Sequence, residues 1–473
     1  FLWVKRAILL YYVRIGYSVK RKGSKMVTED CILQHSNKLV NDYIEGSTTT
    51  KHLFDYSLQR DDVFKMRHSN LLKHDFPRRQ LVDHLLVFNE KFTSHPKVFE
   101  NIRKLQLEDS SVVITGQQAG LLTGPLYTIY KALSAIHLAG KLETELAAPV
   151  IPVFWVAGED HDFQEINHLW TVENGVLTKV TFPQKQYDKR PISDIEFDHE
   201  KMVAWVRTIF KSFVESKRTC EIIKLLEEKT KQSKTISDFF IHVMAFLFEK
   251  YGLVFVDSAN AGLRKIESVF FRDMIDHNAA LQNAFTEQQK ELTRLGYHSS
   301  VDIPSNCAHL FYHWNGDREL LFQSESDTYQ NKNNTLRLSK QELFATCETE
   351  PEKLSNNVMT RPLMQDFLFP TLAYVAGPGE IAYWSSLKAM FRLFDRKVPP
   401  VVPRMSVTIV ERRIQKTLET LGLTVQDVLF SGIEPFRENG MEQQKGDDVG
   451  SVIRDTKHSI DRAHAKLRSY AWD

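Results

Sequence analysis

At 473 residues the chain is longer than one simple core accommodates, so two or three domains are expected. Its 61 Lys and Arg stand against 60 Asp and Glu, which leaves no net field to attract nucleic acid or an anionic membrane. Cys31, Cys220, Cys307 and Cys347 form no C-x-x-C pair and no zinc-ribbon spacing, so free thiols in a reducing, cytoplasmic setting are expected rather than a disulfide framework.

The segment Phe1 to Tyr17 is apolar, but Lys5, Arg6 and Arg14 interrupt it, so no run approaches the ~20 residues of a membrane span. No small-residue cleavage site follows. Met26 comes after a basic stretch, Lys20 to Lys25, and residues 1–25 read as an extension translated from upstream of the start. A membrane-surface anchor is the alternative. Residues 26–110 read as a helical lead-in, clearest from Arg79 to Phe92, where apolar residues recur at helical spacing.

The core is expected over 111–405. Ser111 to Thr115 is a β-branched run suited to a buried strand, Gly116 to Gly124 is a glycine-rich loop, and Pro125 stands where a helix takes its first residue. The helix is expected over Leu126 to Leu138. Further strands are predicted at Val150 to Val156, at Leu253 to Val256 ending in Asp257, and at Thr371 to Ala376, with a helix over Ile236 to Lys250. Strands alternating with helices predict a mostly parallel sheet. Residues 296–330 break that rhythm with two extended runs around Asn315-Gly316, the signature of a hairpin in an antiparallel insertion. From 406 to 473 the texture changes. Val449, Ile453, Thr456, Ile460, Ala463, Leu467 and Tyr470 form a heptad seam that reaches Asp473 without a cap, as if truncated. Such a stripe needs a partner, either the helix expected over Thr408 to Leu421 or a second subunit.

Three regions carry candidate chemistry. The first is the loop holding Thr115, Gly116, Gln117, Gln118, Gly120, Thr123 and Gly124, at the carboxyl end of a strand, where an α/β sheet presents ligands. Its glycines allow close backbone approach to a phosphate, and Thr123 caps the helix or binds a phosphate oxygen; a turn that merely packs is the alternative. The second is Glu159-Asp160-His161-Asp162 after the strand Val150 to Val156. It is suited to binding an ammonium group, to general base chemistry or to a divalent metal, with His161 and His168 candidates for one helix face. Carboxylates set against a helix dipole are the plainer reading. The third holds Asn357, Arg361, Gln365, Glu380 and Tyr383, with Arg361 as an anion clamp or as the partner of Glu380 or Asp366. Arg404 is a weaker anion candidate.

Four motifs, TGQQAGLLTGPLYTIYKA (115–132), PVFWVAGEDHDF (152–163), RPLMQDFLFPT (361–371) and GPGEIAYW (377–384), occur in an order that resembles the BshC family, the cysteine ligase of bacillithiol biosynthesis. The resemblance runs from about Lys38 to Arg404. It implies an α/β fold with a Rossmann-like nucleotide-binding core related to class I aminoacyl-tRNA synthetases, an inserted antiparallel connecting domain, and a C-terminal α-helical coiled coil supporting a homodimer. It also implies that cysteine is joined to the amine of glucosaminyl-malate, with no nucleic-acid or membrane partner.

Amide formation from a free carboxylate is uphill, so ATP, with Mg2+ as its companion, is the expected co-substrate. On this reading the glycine-rich loop holds the phosphates and Asp160 or Asp162 binds the cysteine ammonium. His161 accepts a proton from the attacking amine, and Arg361 binds malate carboxylates or a phosphate. Neither synthetase signature, His-x-Gly-His or Lys-Met-Ser-Lys-Ser, is present. The rivals are a nucleotide-sensing dimeric binding module and a nucleotidyltransferase with another acceptor.

Overall fold

The computed structural model describes residues 13–17, 27–30, 35–173, 176–184, 189–213, 215–299, 301–324, 327–436 and 455–462. The chain divides into two compact units, one over 34–406 and one formed by 13–33 with 407–473.

At the centre of the first unit lies a five-stranded parallel sheet: β1 (Ser111–Gln117), β2 (Val150–Val156), β3 (Val254–Asp257), β4 (Thr371–Ala376) and β5 (Val401–Pro403). Its strand order is β5-β4-β1-β2-β3. Every residue of β2, β3 and β4 is buried, as expected for strands covered on both faces. Alternation decides what each side chain meets. Val112, Ile114, Val153 and Trp155 join one cluster, and Val113 joins another with Leu372 and Val375. Helix α1 (Tyr127–Leu146) covers the Val113 side through Ala135, Leu138 and Leu142. On the opposite face lie α2 (Ala261–Asp276) and α3 (Arg361–Leu368), through Leu263, Phe270, Leu363 and Met364. Helix α4 (Pro378–Trp384) follows β4 directly.

The segment before β1 is helical at Lys38–Glu45, Val63–Leu71, Arg78–Glu90 and Pro96–Lys104. Helix α1 begins at Tyr127, two residues beyond Pro125, and Leu126 caps it without a side-chain bond. The antiparallel sheet is broader than 296–330. Its hairpin pairs Cys307–Trp314 with Asp317–Gln323 around Asn315-Gly316, and Thr328–Gln330, Arg337–Ser339 and Leu354–Asn356 complete five strands. A second hairpin, His168–Glu173 with Val176–Thr181, was not expected. It puts His168 at a strand start, so His161 and His168 do not share a helix face; the only helix between them is Phe163–Ile166.

In the second unit, Val13–Tyr17 is the middle strand of a three-stranded sheet with Val27–Asp30 and Ser406–Val410. The expected helix over Thr408 to Leu421 is in fact the end of that strand followed by a helix at Arg412–Thr420, because the β-branched run Val407 to Val410 favours extended backbone. Of the heptad seam, only Thr456 and Ile460 fall within described residues; both are exposed, on a helical stretch at 455–462. The coiled coil itself lies outside the described residues.

Buried ionisable groups give the first unit a pH dependence. Burial pushes His84 and His309 down to about 4, and burial with the nearby Arg264 and Arg318 takes His313 to about 3. Each refuses a proton that the unfolded chain accepts near pH ~6.5, so its stabilisation is whole above that value and lost as pH falls. Burial also raises Asp257 to about 6 and Glu267 to about 7; these two act the opposite way, losing stabilisation as pH rises through those values. Three histidines outweigh two carboxylates. The urea midpoint is therefore expected to fall between pH ~7 and ~5, and a midpoint that holds or rises on acidification contradicts this account.

Candidate functional site

Strand order 3-2-1-4-5 reverses between β1 and β4, and at that point the chain leaves the two strands in opposite directions, opening a crevice beyond their carboxyl ends. A cleft of about 430 Å³ lies there. Its walls come from the end of β1 (Gly116, Gln117, Gln118), from α1 (Tyr127, Lys131), from β2 and its exit (Trp155, Ala157, Asp160), and from Arg361, Tyr374, the turn Gly377 to Gly379, Glu380, Tyr383 and Arg404.

Gly116 is required by packing, since a Cβ there would lie 2.9 Å from the Trp155 carbonyl oxygen of the neighbouring strand. Helix α1 buries a stripe at Thr128, Lys131, Ala135 and Leu138, which carries Lys131 inward. The Lys131 ammonium donates to the Gly116 carbonyl at 2.8 Å and to Gln117 Oε1 at 2.9 Å, and pairs with Glu380 Oε2 at 2.5 Å. All three of its donors are thereby engaged. Burial holds its pKa below the usual lysine value, with Glu380 opposing. Glu380 also accepts from the Gly377 N–H at 2.8 Å and from the Tyr374 hydroxyl at 2.6 Å. Burial acts to raise its pKa, but Lys131 and these bonds win and hold it below the ordinary glutamate value. Lys131 and Glu380 thus clasp the two strands flanking the switch point.

The two arginines differ from that lysine. Arg361, at the start of α3, donates to the Tyr383 hydroxyl, and its guanidinium lies 5.8 Å from the Tyr374 ring centroid. No carboxylate reaches it within ion-pair distance among the described residues. Arg404 lies 5.3 Å over the Tyr127 ring and donates to the Met405 carbonyl and the Ser406 hydroxyl at 3.0 and 2.8 Å. Burial lowers its pKa. A guanidinium presents five donors in a fork, so both arginines retain capacity for an anion.

Beside β2, the acidic cluster divides. Asp160 lines the cleft and accepts from Gln118 Nε2 at 2.7 Å and from the His161 N–H at 2.7 Å. Asp162 caps the helix Phe163–Ile166, accepting from the N–H groups of Gln164 and Glu165. Glu159 turns into the core, where Arg264 binds it together with Glu267. His161 faces the antiparallel sheet, with Nδ1 3.4 Å from Arg318 Nη1 and its ring 6.2 Å from that of Phe311. No group of three or more His, Cys, Asp or Glu side chains is placed to hold a metal ion among the described residues.

The cleft therefore gathers Gly116, Gln117, Gln118, Asp160, Arg361, Glu380 and Tyr383. It does not gather the rest of the expected site. The Thr115 hydroxyl bonds the Val375 carbonyl at 2.9 Å and ties β1 to β4. Thr123, with φ 74°, lies in the turn before α1 and caps nothing, because the helix starts four residues later. Gly120 and Gly124 pack on each other; a Cβ on Gly120 would meet Gly124 Cα at 2.7 Å. Asn357 accepts from the N–H groups of Met359 and Thr360 and shapes the turn into α3. Gln365 is buried one turn beyond Arg361. Lys131, Tyr127 and Trp155 were not anticipated, and Tyr374, within the third region, had been given no role. A signal for Lys131 existed, a lone cation on the apolar stripe of the helix after the loop.

A doubly wound sheet with this strand order, and a cleft at its switch point, defines a Rossmann-like α/β protein. The family described as bacillithiol biosynthesis BshC, N-terminal Rossmann-like domain, matches residues 26–405. A protein of Geobacillus sp. (strain WCH70) named "Putative cysteine ligase BshC" is 41% identical over 449 residues, covering 95% of this chain and 83% of its own. Proteins of the same name from Geobacillus thermodenitrificans and Bacillus cereus (strain AH187) are 39% and 38% identical, over 94% and 91% of this chain and 82% and 80% of theirs. The chain belongs to the BshC family. No helix among its described residues is long and apolar enough to cross a membrane.

Proposed function

We propose that this protein is the cysteine ligase that completes bacillithiol, joining cysteine to the amine of glucosaminyl-malate with ATP as the activating co-substrate. The observation that carries the reading is the pair of arginines in the switch-point cleft, Arg361 and Arg404, which feel Glu380 but which no described carboxylate reaches within ion-pair distance, while Lys131 is directly paired with Glu380. Substrate anions, the phosphates of ATP and the malate carboxylates, would take the donors these guanidinium groups leave open. Asp160, fixed by Gln118 at the rim of the same cleft, takes the cysteine ammonium.

In this scheme a cysteine carboxylate oxygen attacks the α-phosphorus of ATP and pyrophosphate leaves. The sugar amine then attacks the acyl carbon, AMP departs, and the amine gives up its proton. Arginines held beside aromatic rings do not reorganise as charge develops, so they favour the transition state over the ground state.

The test is direct. Purified protein is mixed with cysteine, glucosaminyl-malate and Mg-ATP, and bacillithiol is followed by mass spectrometry. ATP-dependent product is expected, with cysteine-dependent pyrophosphate exchange. Product accompanied by ADP replaces the adenylate with an acyl phosphate. ATP turnover indifferent to cysteine points to a nucleotidyltransferase with another acceptor. Nucleotide binding without any turnover favours the sensing module.

A further inference from the structure

Arg318 is a buried arginine that no described carboxylate touches directly, although Glu159 and Asp160 act on it from further away. It sits on the antiparallel sheet with its backbone N–H bonded to the Lys189 carbonyl, and it makes no ion pair among the described residues. Its guanidinium lies 3.7 Å over the Phe311 ring centroid. Nε donates to the Ser355 hydroxyl at 3.0 Å and Nη2 to the Asn356 carbonyl at 2.6 Å. These three contacts fix the plane of the fork. They leave Nη1 aimed at His161 Nδ1, 3.4 Å away.

An arginine has donors only and keeps its charge, so the nitrogen that faces it must offer a lone pair. A proton on His161 Nδ1 would set two donors against each other beside a fixed positive charge. We propose that Arg318 is a positioning residue that locks His161 in the neutral form with its proton on Nε2, so that His161, which stands beside the cleft residue Asp160 and not on the cleft wall, offers a donor and not a proton acceptor to substrate reaching past that wall.

The surroundings agree with that assignment. Burial and Arg318 both depress the His161 pKa, with Lys189 adding to them, and Asp160 and Asp162 on its own loop oppose without reversing the direction. Asp160 Oδ1 is turned to the His161 backbone N–H. A neutral imidazole that offers Nε2–H can donate to a substrate oxygen, whereas a base would have to collect a proton next to a guanidinium. The role given to His161 here rests on the ligase reading; its tautomer does not.

The two are separated by experiment. Histidine-selective 15N labelling of the whole chain, with His161 assigned by its loss in His161→Gln, reports which ring nitrogen is protonated, without substrate. We expect a wild-type Nδ1 signal of the unprotonated type and a His161 titration midpoint below that of an ordinary histidine. In Arg318→Met, which keeps a chain over Phe311, tautomers mix and the titration midpoint moves up towards the ordinary histidine value. A wild-type spectrum with the proton on Nδ1, or a midpoint near that ordinary value, overturns the proposal. The wild-type spectrum alone decides, so a poorly folding Arg318→Met does not shield it. Failure of the ligase assay with the expected spectrum removes the ligase reading and leaves the tautomer standing.

Discussion

Replacing Arg361 by lysine is expected to lower kcat/KM of the ligation at least about 100-fold while the urea midpoint stays close to that of the parent. The charge is conserved by this change, so the loss isolates geometry. Arg361 is held in place by the Tyr383 hydroxyl below and the Tyr374 ring beside it, and its open edge belongs to the cleft. A lysine ammonium at that position is a point charge on a flexible stem and cannot meet two oxygens of a carboxylate or phosphate together. A loss of under tenfold would show that the anion is held elsewhere, with Arg404 as the next residue to replace. A large fall in the urea midpoint would assign Arg361 to structure instead.

The second large effect concerns Lys131. Methionine there matches the length of the stem but leaves Glu380 on the cleft wall without its cation, and deletes the donor that holds the Gly116 carbonyl. Breaking a buried pair from one side costs about 3–5 kcal/mol, and the lower end applies because the Glu380 side chain is 19% exposed. We expect Lys131→Met to lose about 3 kcal/mol by urea unfolding and to regain more than half of it in the double variant Lys131→Met/Glu380→Gln, where the orphaned carboxylate is gone. Equal instability of single and double variants would mean that the Gly116 and Gln117 contacts, and not the charge pair, hold the crevice together.

Much of this architecture was legible because parallel strands covered on both faces must be continuous apolar runs, and few other segments look like that. Val150 to Val156 and Thr371 to Ala376 were read to the residue for this reason. The hairpin at Asn315-Gly316 was legible from turn chemistry. The second hairpin carries a comparable signal around Asn174-Gly175, and it was missed because the acidic cluster just before it drew the reading towards a helix. Burial of polar side chains was harder to read. Glu159 looks like its neighbour Asp160 in the sequence, but its partner, Arg264, arrives 105 residues later on α2. Likewise nothing local distinguishes the Thr115 hydroxyl, bonded across the sheet to Val375, from one offered to a phosphate.

The position of β4 beside β1 has a consequence for how the protein is made. The central strand emerges from the ribosome roughly 250 residues before the neighbour that covers its edge, so during synthesis Val112 and Ile114 stand on an open, apolar border that invites the wrong strand. Every wall of the cleft contributed by Arg361, Tyr374 and Glu380 is missing until that border closes. A nascent chain arrested before Thr371 is therefore a sticky and siteless intermediate, and holding chaperones, or faster translation past Thr371, should raise the yield of competent protein.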